Sequence, residues 1–255
     1  MTNDPTASAV TVLPILGIGE VTSDSDLAAV LHDALVAQGT PLQDGDIVVV
    51  TQKIVSKAEG CLVYLDDVEP SALARTWAER WDKDARVVEL VLRQSRRIVR
   101  MDRGVIIAET FHGLVCANAG VDLSNVGGDR ATLLPADPDA SAEDLRAALS
   151  AAAGVRIGVI ITDTHGRAWR EGQVNLAIGV AGVEALRHFE GQLDPTGYEL
   201  RVTMLATADE LASAAELVMG KIDRVPAALV RGLSRALGEG SAQSLVRPAA
   251  TDMFR

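Results

Sequence analysis

Apolar positions along this chain follow two different periods, and segments of the two kinds alternate from one end to the other. Apolar runs at residues 47–50 and 156–162 are typical of strands that are buried on both faces. Shorter β-rich runs predict further strands at residues 10–15, 97–100, 105–109, 114–118, 200–206 and 227–233. Apolar spacings of three and four predict helices at residues 27–35, 70–81, 85–94, 141–153 and 209–219. Strand pairs beside isolated strand-helix units indicate an α+β (mixed α/β) fold with a mixed sheet and room for two lobes.

Helix starts and a long loop divide the chain further. Pro70 lies near the first position of the second predicted helix, and Ser141 is the expected N-cap of the fourth. Residues 119–138 are rich in Gly, Asp, Asn and Pro, and a loop of this length is typical of a functional or mobile segment. In a two-lobed domain, residues 120–139 would form the crossover. We therefore predict a flexible tail at residues 1–9, one domain at 10–245, and a tail or the start of a linker at 246–255.

Composition argues against several classes of protein. The 255 residues include 24 Lys and Arg against 35 Asp and Glu, which gives a formal net charge of −11. This acidic balance and the few aromatic side chains (Phe 3, Trp 3, Tyr 2) disfavour binding to nucleic acid or to an anionic membrane surface. Because 48% of the residues are hydrophobic, the chain can bury a large core, which argues against disorder.

The cysteines and the first residues indicate the compartment. Cys61 and Cys116 lie far apart and form no metal-binding motif, so we expect both to be thiols within the core. The start of the chain lacks a signal-peptide pattern, and no apolar run approaches the ~18 residues that span a bilayer. We expect a soluble cytoplasmic protein.

Standard nucleotide-binding signatures fail on this sequence, so a nucleotide site would be of another kind. Gly17 and Gly19 begin a dinucleotide-like pattern, but Thr22 occupies the position of its third glycine. The Gly-Lys pair at 220–221 resembles the end of a P-loop, but Ala215 stands where the first glycine belongs.

The strongest candidate site is the segment 160–172, where polar residues follow an apolar strand. Asp163 and Thr164 come at the end of that strand, and their oxygens would suit Mg²⁺ or Mn²⁺. Arg167 and Arg170 are suited to anionic oxygens of a substrate as bidentate partners. A solvated turn in which Asp163 caps a helix fits this segment about equally well.

Two further segments carry candidate chemistry. Asp122, three residues before Asn125, would complete a carboxylate pair with Asp163, although an isolated Asp-x-x-Asn is more often a self-capping turn. Lys57 follows a buried strand and can reach phosphate as a point charge, with an ordinary surface lysine as the alternative. We expect His165 to form a local hydrogen bond rather than act as a general base.

Together these segments resemble the family of coenzyme F420-0:L-glutamate ligases, the enzymes that add γ-linked glutamates to the deazaflavin coenzyme F420. The matching motifs are short, but they occur in order over about nine-tenths of the chain. They lie at residues 13–17, 54–60, 118–125, 160–170, 177–179 and 230–233.

The resemblance implies a GTP-dependent ligase that requires Mg²⁺ or Mn²⁺, with K⁺ as an additional ion, and a homodimer whose site lies near the subunit interface. It also implies that the acceptor carboxylate is phosphorylated before glutamate attacks. By position, it assigns metal ligation to Asp122, Asp163 and Thr164, and catalysis to Lys57, Asp122 and Asp163. It assigns nucleotide contacts to Gly17, Ile18, Gly19, Glu20, Gln52, Lys57, Asn125, Gly220, Lys221, Ile222 and Asp223.

The sequence departs from the family at Gly19, where relatives often have Pro, and at Lys221. Lys221 stands where many relatives have an acidic residue in a longer loop. This change would affect either the binding of a second metal ion or the closure of the loop. Alternatively, Lys221 supplies positive charge directly. Residues 245–254 resemble the junction to a reductase domain in fused relatives, so the chain is a stand-alone ligase or an excised domain. Two rival functions stay open: a glutamate ligase for another acidic acceptor, and a GTP-binding protein without turnover.

Overall fold

The computed structural model describes residues 9–253, in which strands and helices are interleaved. Residues 1–8 of the predicted tail and residues 254–255 lie outside this range. The strands are β1 (Thr11–Pro14), β2 (Ile47–Thr51), β3 (Leu62–Tyr64), β4 (Ser95–Asp102), β5 (Val105–Thr110), β6 (Val115–Ala117), β7 (Arg130–Thr132), β8 (Gly158–Arg167), β9 (Arg170–Ala181), β10 (Arg187–His188), β11 (Met204–Leu205) and β12 (Ala227–Arg231). The α-helices are α1 (Leu27–Ala37), α2 (Gln52–Ala58), α3 (Ala72–Trp81), α4 (Ala85–Arg93), α5 (Pro138–Ala153) and α6 (Thr207–Met219). Within residues 9–253, none of the helices is long and apolar enough to cross a bilayer.

A mixed sheet of five strands forms the centre of the fold, in the order β1-β12-β2-β8-β9. Strands β2 and β8 are parallel, and the other neighbouring strands are antiparallel. Alternate residues of β2 divide between two cores, because successive side chains on a strand point to opposite faces. Val48 and Val50 pack with α1 and α5, whereas Ile47 and Val49 pack with α6. The predicted α+β fold with a mixed sheet is confirmed.

A third apolar core lies within residues 62–132. Helices α3 and α4 pack against β4 and β5 in this core. Strands β4, β5 and β6 form an antiparallel meander. Strands β3 and β7 pair beside them. The chain enters this region after α2 and leaves it before α5, so the return passes through the predicted crossover at 120–139.

Three helices start at other residues than the sequence predicts, and one of them, α6, begins two residues early, at Thr207. Helix α5 begins at Pro138, and Asp137 rather than Ser141 is its N-cap, where the Asp137 carboxylate accepts a backbone N–H at 3.1 Å. Proline is well suited to the first turn of a helix because its missing N–H would have no partner there. At α3 the N-cap is Ser71, so Pro70 precedes the helix instead of lying within its first turn.

Several strand predictions also change, and β9 was not predicted as a strand. Strand β8 continues beyond residue 162 to Arg167, because its second half pairs with β9 as a hairpin. The strand expected at 200–206 is reduced to Met204–Leu205. Strands β3 and β7, each of three residues, were not predicted because such short segments carry no readable period.

Gly179 on β9 lies against the start of α5 and gives a test of this packing. A Cβ at this position would lie 2.1 Å from the carbonyl oxygen of Pro138, so we expect Gly179→Ala to force the helix and sheet apart. Urea denaturation should show the free energy of unfolding reduced by about 2 kcal/mol. The control is Gly166→Ala on β8, where an added Cβ meets no heavy atom within 4 Å. Equal losses in the two variants would contradict the close packing of α5 on β9.

Candidate active site

Helix α2, which the sequence patterns did not predict, places two lysines at the end of β2. The helix begins at Gln52, directly after the last strand residue, Thr51. Lys53 and Lys57 are four residues apart and therefore lie on the same side of the helix. The other side is buried, and there the Ser56 hydroxyl donates a hydrogen bond of 2.8 Å to Oε1 of Gln52.

Lys57 joins three segments that are distant in the sequence. Its Nζ donates to Oε1 of Glu20 at 2.6 Å and to the backbone carbonyl of Asn125 at 2.8 Å. The Lys57 side chain is only 8% exposed, whereas that of Glu20 is 75% exposed. The alternative of a surface lysine is therefore wrong. A buried ammonium beside an accessible carboxylate and loop is a fixed positive charge that an anion could reach by displacing Glu20.

The loop after β1 carries Glu20, the carboxylate partner of Lys57. Gly17 has a φ of +78°, which glycine adopts without strain, and Ile18, Gly19 and Glu20 follow it. Asn125 also has a left-handed φ, +60°, which turns its carbonyl group toward Lys57. Four of the positions assigned to nucleotide by resemblance thus form one loop. Glu20 links this loop to Lys57, and Lys57 in turn donates to the carbonyl group of Asn125.

Asp122 is held by a lysine that the sequence analysis did not single out. Nζ of Lys53 lies 2.5 Å from Oδ2 of Asp122, and the backbone N–H of Ser124 donates to Oδ1 at 2.6 Å. Burial raises the pKa of Asp122, but the bonds from Lys53 and Ser124 outweigh it and hold that pKa below its usual range. The Asp122 carboxylate is therefore charged, and it forms the self-capping turn that was the alternative reading.

Asp163 lies beside this pair on strand β8, so it does not cap a helix. Burial raises the pKa of Asp163, and the negative charge of Asp122 raises it further. His165 and Lys53 act in the opposite direction without reversing the shift. Neighbouring Cys116 has a pKa raised to about 12, first by burial and then by the charge of Asp163. The structure therefore brings the two predicted carboxylates into one half-buried cluster, where the charge of Asp122 disfavours that of Asp163. Cys116 is buried as predicted, while Cys61 is only partly covered.

This donor set fits a divalent cation held jointly by protein and ligand. Among residues 9–253, His, Cys, Asp and Glu side chains do not gather in a metal-binding group of three or more. Mg²⁺ commonly binds through one or two carboxylates and completes its shell with phosphate oxygens and water. Asp122 and Asp163 supply two such carboxylates, and a cation there would offset the charge that burial penalises at Asp163.

Thr164 faces a different set of partners from its neighbour Asp163. Its hydroxyl donates to Oδ1 of Asn175 at 2.8 Å and accepts from Nζ of Lys221 at 2.6 Å. Lys221 also pairs with Glu216 of α6 at 2.9 Å. Because adjacent side chains on a strand point to opposite faces, Thr164 and Asp163 contribute to separate clusters.

The remaining predicted residues are placed as follows. Arg167 donates to the backbone carbonyls of Glu171 and Gly172 across the β8–β9 turn, and Arg170 is exposed at the start of β9. His165 is buried, and its Nδ1 lies 3.3 Å from the backbone carbonyl of Asp163, which agrees with the expected local hydrogen bond.

The loop after α6 contains the other nucleotide candidates. Gly220 is its first residue, with a φ of +61°, and the Asp223 carboxylate packs so closely on it that a Cβ would lie 2.0 Å from Oδ2. Ile222 is 90% exposed. Lys221 reaches back to β8 through its contact with Thr164.

Three residues of the site escaped the sequence analysis. The spacing of Lys53 and Lys57 was a readable signal, since residues four apart share one side of a helix. Asn175 and Glu216 carried no signal, because the hydrogen bond that joins them links residues 41 positions apart and arises only in the folded chain.

The fold and the site together define an α+β protein whose charged side chains gather where strands β2 and β8 of the central sheet end. One group of them contains Lys53, Lys57, Asp122 and Asp163, and the other contains Lys221. Paired carboxylates with fixed ammonium groups are suited to a phosphorylated ligand and a divalent cation.

Comparison with known proteins then identifies the family. The family model described as F420-0:Gamma-glutamyl ligase matches residues 16–232. A protein of Methanopyrus kandleri named coenzyme F420:L-glutamate ligase is 48% identical over 87% of this chain and 90% of its own length. Proteins of the same name from Methanothermobacter thermautotrophicus and Methanocaldococcus jannaschii are 45% and 41% identical, each over 95% of this chain and over 96% and 94% of their own lengths. The chain belongs to the F420-0:gamma-glutamyl ligase family, as the sequence motifs predict.

Proposed function

We propose that this protein joins L-glutamate to coenzyme F420-0 through γ-linked amide bonds and uses GTP to activate the acceptor. Membership in the family and the names of its relatives support the acceptor and the amino acid. The observation that carries the phosphate chemistry is the convergence of Glu20, Lys57 and Asn125 at one buried ammonium.

The reaction must turn an unreactive carboxylate into an electrophile. In the proposed first step, an oxygen of the terminal carboxylate of the acceptor attacks the γ-phosphorus of GTP, which forms an acyl phosphate and releases GDP. In the second step, the deprotonated amine of L-glutamate attacks the acyl carbon. The carbon–oxygen bond to phosphate breaks, inorganic phosphate leaves, and an amide remains.

Each charged side chain has a distinct task in this proposal. Lys57 binds a phosphate oxygen of GTP after Glu20 swings away, and Lys53 keeps Asp122 oriented. Asp122 and Asp163 would hold Mg²⁺ or Mn²⁺, which, when bound, would neutralise the charge of the phosphates. Burial of the cluster strengthens these interactions, because a low local dielectric weakens screening.

Other parts of the proposal rest on the resemblance or on residue chemistry. Arg170 is exposed at the start of β9 and is suited to a substrate carboxylate or phosphate. Arg167 would have to leave its backbone partners at the hairpin turn to play the same role. A homodimer with the site near its interface, K⁺ as a further ion and a cytoplasmic location are part of the proposal, and analytical ultracentrifugation tests the dimer.

Mass spectrometry of F420-0 incubated with the protein, L-glutamate, GTP and Mn²⁺ tests this function. We expect the acceptor mass to rise by whole glutamyl residues, and the rise should disappear when GTP, Mn²⁺ or L-glutamate is omitted. Replacing GTP with ATP tests the choice of nucleotide. An unchanged F420-0 beside a modified folate-like or peptide acceptor would assign a different substrate. GTP-dependent thermal stabilisation without phosphate release would indicate a binding protein.

A further inference from the structure

The Lys221 ammonium lies among oxygen atoms from three separate elements. Its Nζ lies 2.6 Å from Oγ1 of Thr164 on β8, 2.9 Å from Oε1 of Glu216 on α6, and 3.5 Å from Oδ1 of Asn175 on β9. Asn175 in turn donates to the other carboxylate oxygen of Glu216 at 2.7 Å. The ammonium is thus held in position by a network, rather than being a loosely tethered surface charge.

The hydrogen bonds of the Thr164 hydroxyl leave it little capacity to bind a metal ion. The Thr164 hydroxyl already donates its single proton to Asn175 and accepts from Lys221. A divalent ion at about 2.1 Å from the Thr164 oxygen would also lie within a few ångströms of the ammonium and be repelled by it. The assignment of Thr164 as a metal ligand, which came from the resemblance, does not fit this arrangement.

We propose that the Lys221 ammonium takes the place of a second divalent ion at the edge of the sheet. The protein then binds one divalent ion, at Asp122 and Asp163. This position of the ion rests on the proposed function. Lys221 makes two short hydrogen bonds and one long one, and its side chain is 56% exposed. The N–H that makes only the long bond to Asn175 could therefore turn to an anionic oxygen of a bound phosphate or carboxylate.

The test counts Mn²⁺ ions bound per chain, using the electron paramagnetic resonance signal of free Mn²⁺ without nucleotide. We expect one ion for the unaltered protein and two for Lys221→Asp, because the new carboxylate joins Glu216 and Thr164 in a hard-oxygen site. Lys221→Arg keeps the charge and should still bind one. In a chain that also carries Asp122→Asn and Asp163→Asn, Lys221→Asp should bind a single ion.

The outcomes separate the two proposals. Two ions in the unaltered protein, or no added ion in a Lys221→Asp variant with an intact circular dichroism spectrum, would overturn the role of Lys221. If Lys221→Asp does not fold, Lys221→Met must bind one more ion than the unaltered protein at high Mn²⁺, and failure to do so overturns the role equally. No ion in the unaltered protein but one in Lys221→Asp would remove the Asp122–Asp163 metal site and leave the Lys221 proposal standing.

Discussion

Replacing Asp163 with asparagine is expected to lower the rate of glutamate addition about a thousandfold, the equivalent of roughly 4 kcal/mol in transition-state stabilisation. The amide keeps the shape of the side chain but removes one of the two charges that would hold the divalent ion. In the metal-free protein, the same change should raise the free energy of unfolding by about 1 kcal/mol, because an unfavourable buried charge disappears. Steady-state kinetics and urea denaturation in EDTA measure the two effects.

A matched control for Asp163 is Asp209 on α6. Burial also raises the pKa of this carboxyl, and its Oδ1 accepts the backbone N–H of Ala177 at 2.9 Å. Asp209→Asn keeps an acceptor for that bond and should leave the rate within a factor of three. Similar rates for the Asp163 variant and the unaltered protein would contradict a metal-binding role for Asp163, and so would an equal loss in both variants.

The second large effect is expected from Lys57→Met, which should lower kcat/KM for GTP about a hundredfold. Methionine fills the buried channel of the lysine but removes the ammonium that faces Glu20 and Asn125. Lys57→Arg should retain part of the activity, because it keeps the charge at a different length. Isothermal titration calorimetry should show a parallel weakening of GTP binding.

Lys83 provides the comparison for removal of a positive charge elsewhere. It is exposed after α3, and Lys83→Met should alter neither GTP binding nor turnover. If Lys57→Met binds GTP as tightly as the Lys83 variant and turns over at the same rate, the buried ammonium has no part in nucleotide binding.

The elements that the sequence predicted well are those with one clear apolar period. Strand β2 is an unbroken apolar run, and it is completely buried at Ile47–Val50. Helix α2 was missed because its seven residues are too few for an apolar period of three and four to be recognised. The N-cap residue of α2, Thr51, also makes no side-chain capping hydrogen bond of the kind that marks many helix starts. Local pattern fails where one element follows another without a loop.

The candidate site was predicted in part for a related reason. Asp122, Asp163 and Lys57 follow buried strands or lie in a loop rich in turn residues, where functional side chains are common. The partners that fix their charges come from distant segments. Lys53 meets Asp122 from a helix that was not predicted, and Glu20 and Asn125 reach Lys57 from positions 37 and 68 residues away. Polar residues at the end of a strand can be recognised in the sequence, whereas the pairing of charged side chains depends on the tertiary structure.

The central claim is that the protein activates the acceptor carboxylate by phosphorylation. It is tested most directly with F420-0 that carries ¹⁸O in both oxygens of its terminal carboxylate, incubated with L-glutamate, GTP and Mn²⁺. An acyl phosphate transfers one carboxylate oxygen to phosphorus, so mass spectrometry should find one ¹⁸O in the inorganic phosphate for each first glutamate added. Release of unlabelled phosphate during glutamate addition would contradict the claim.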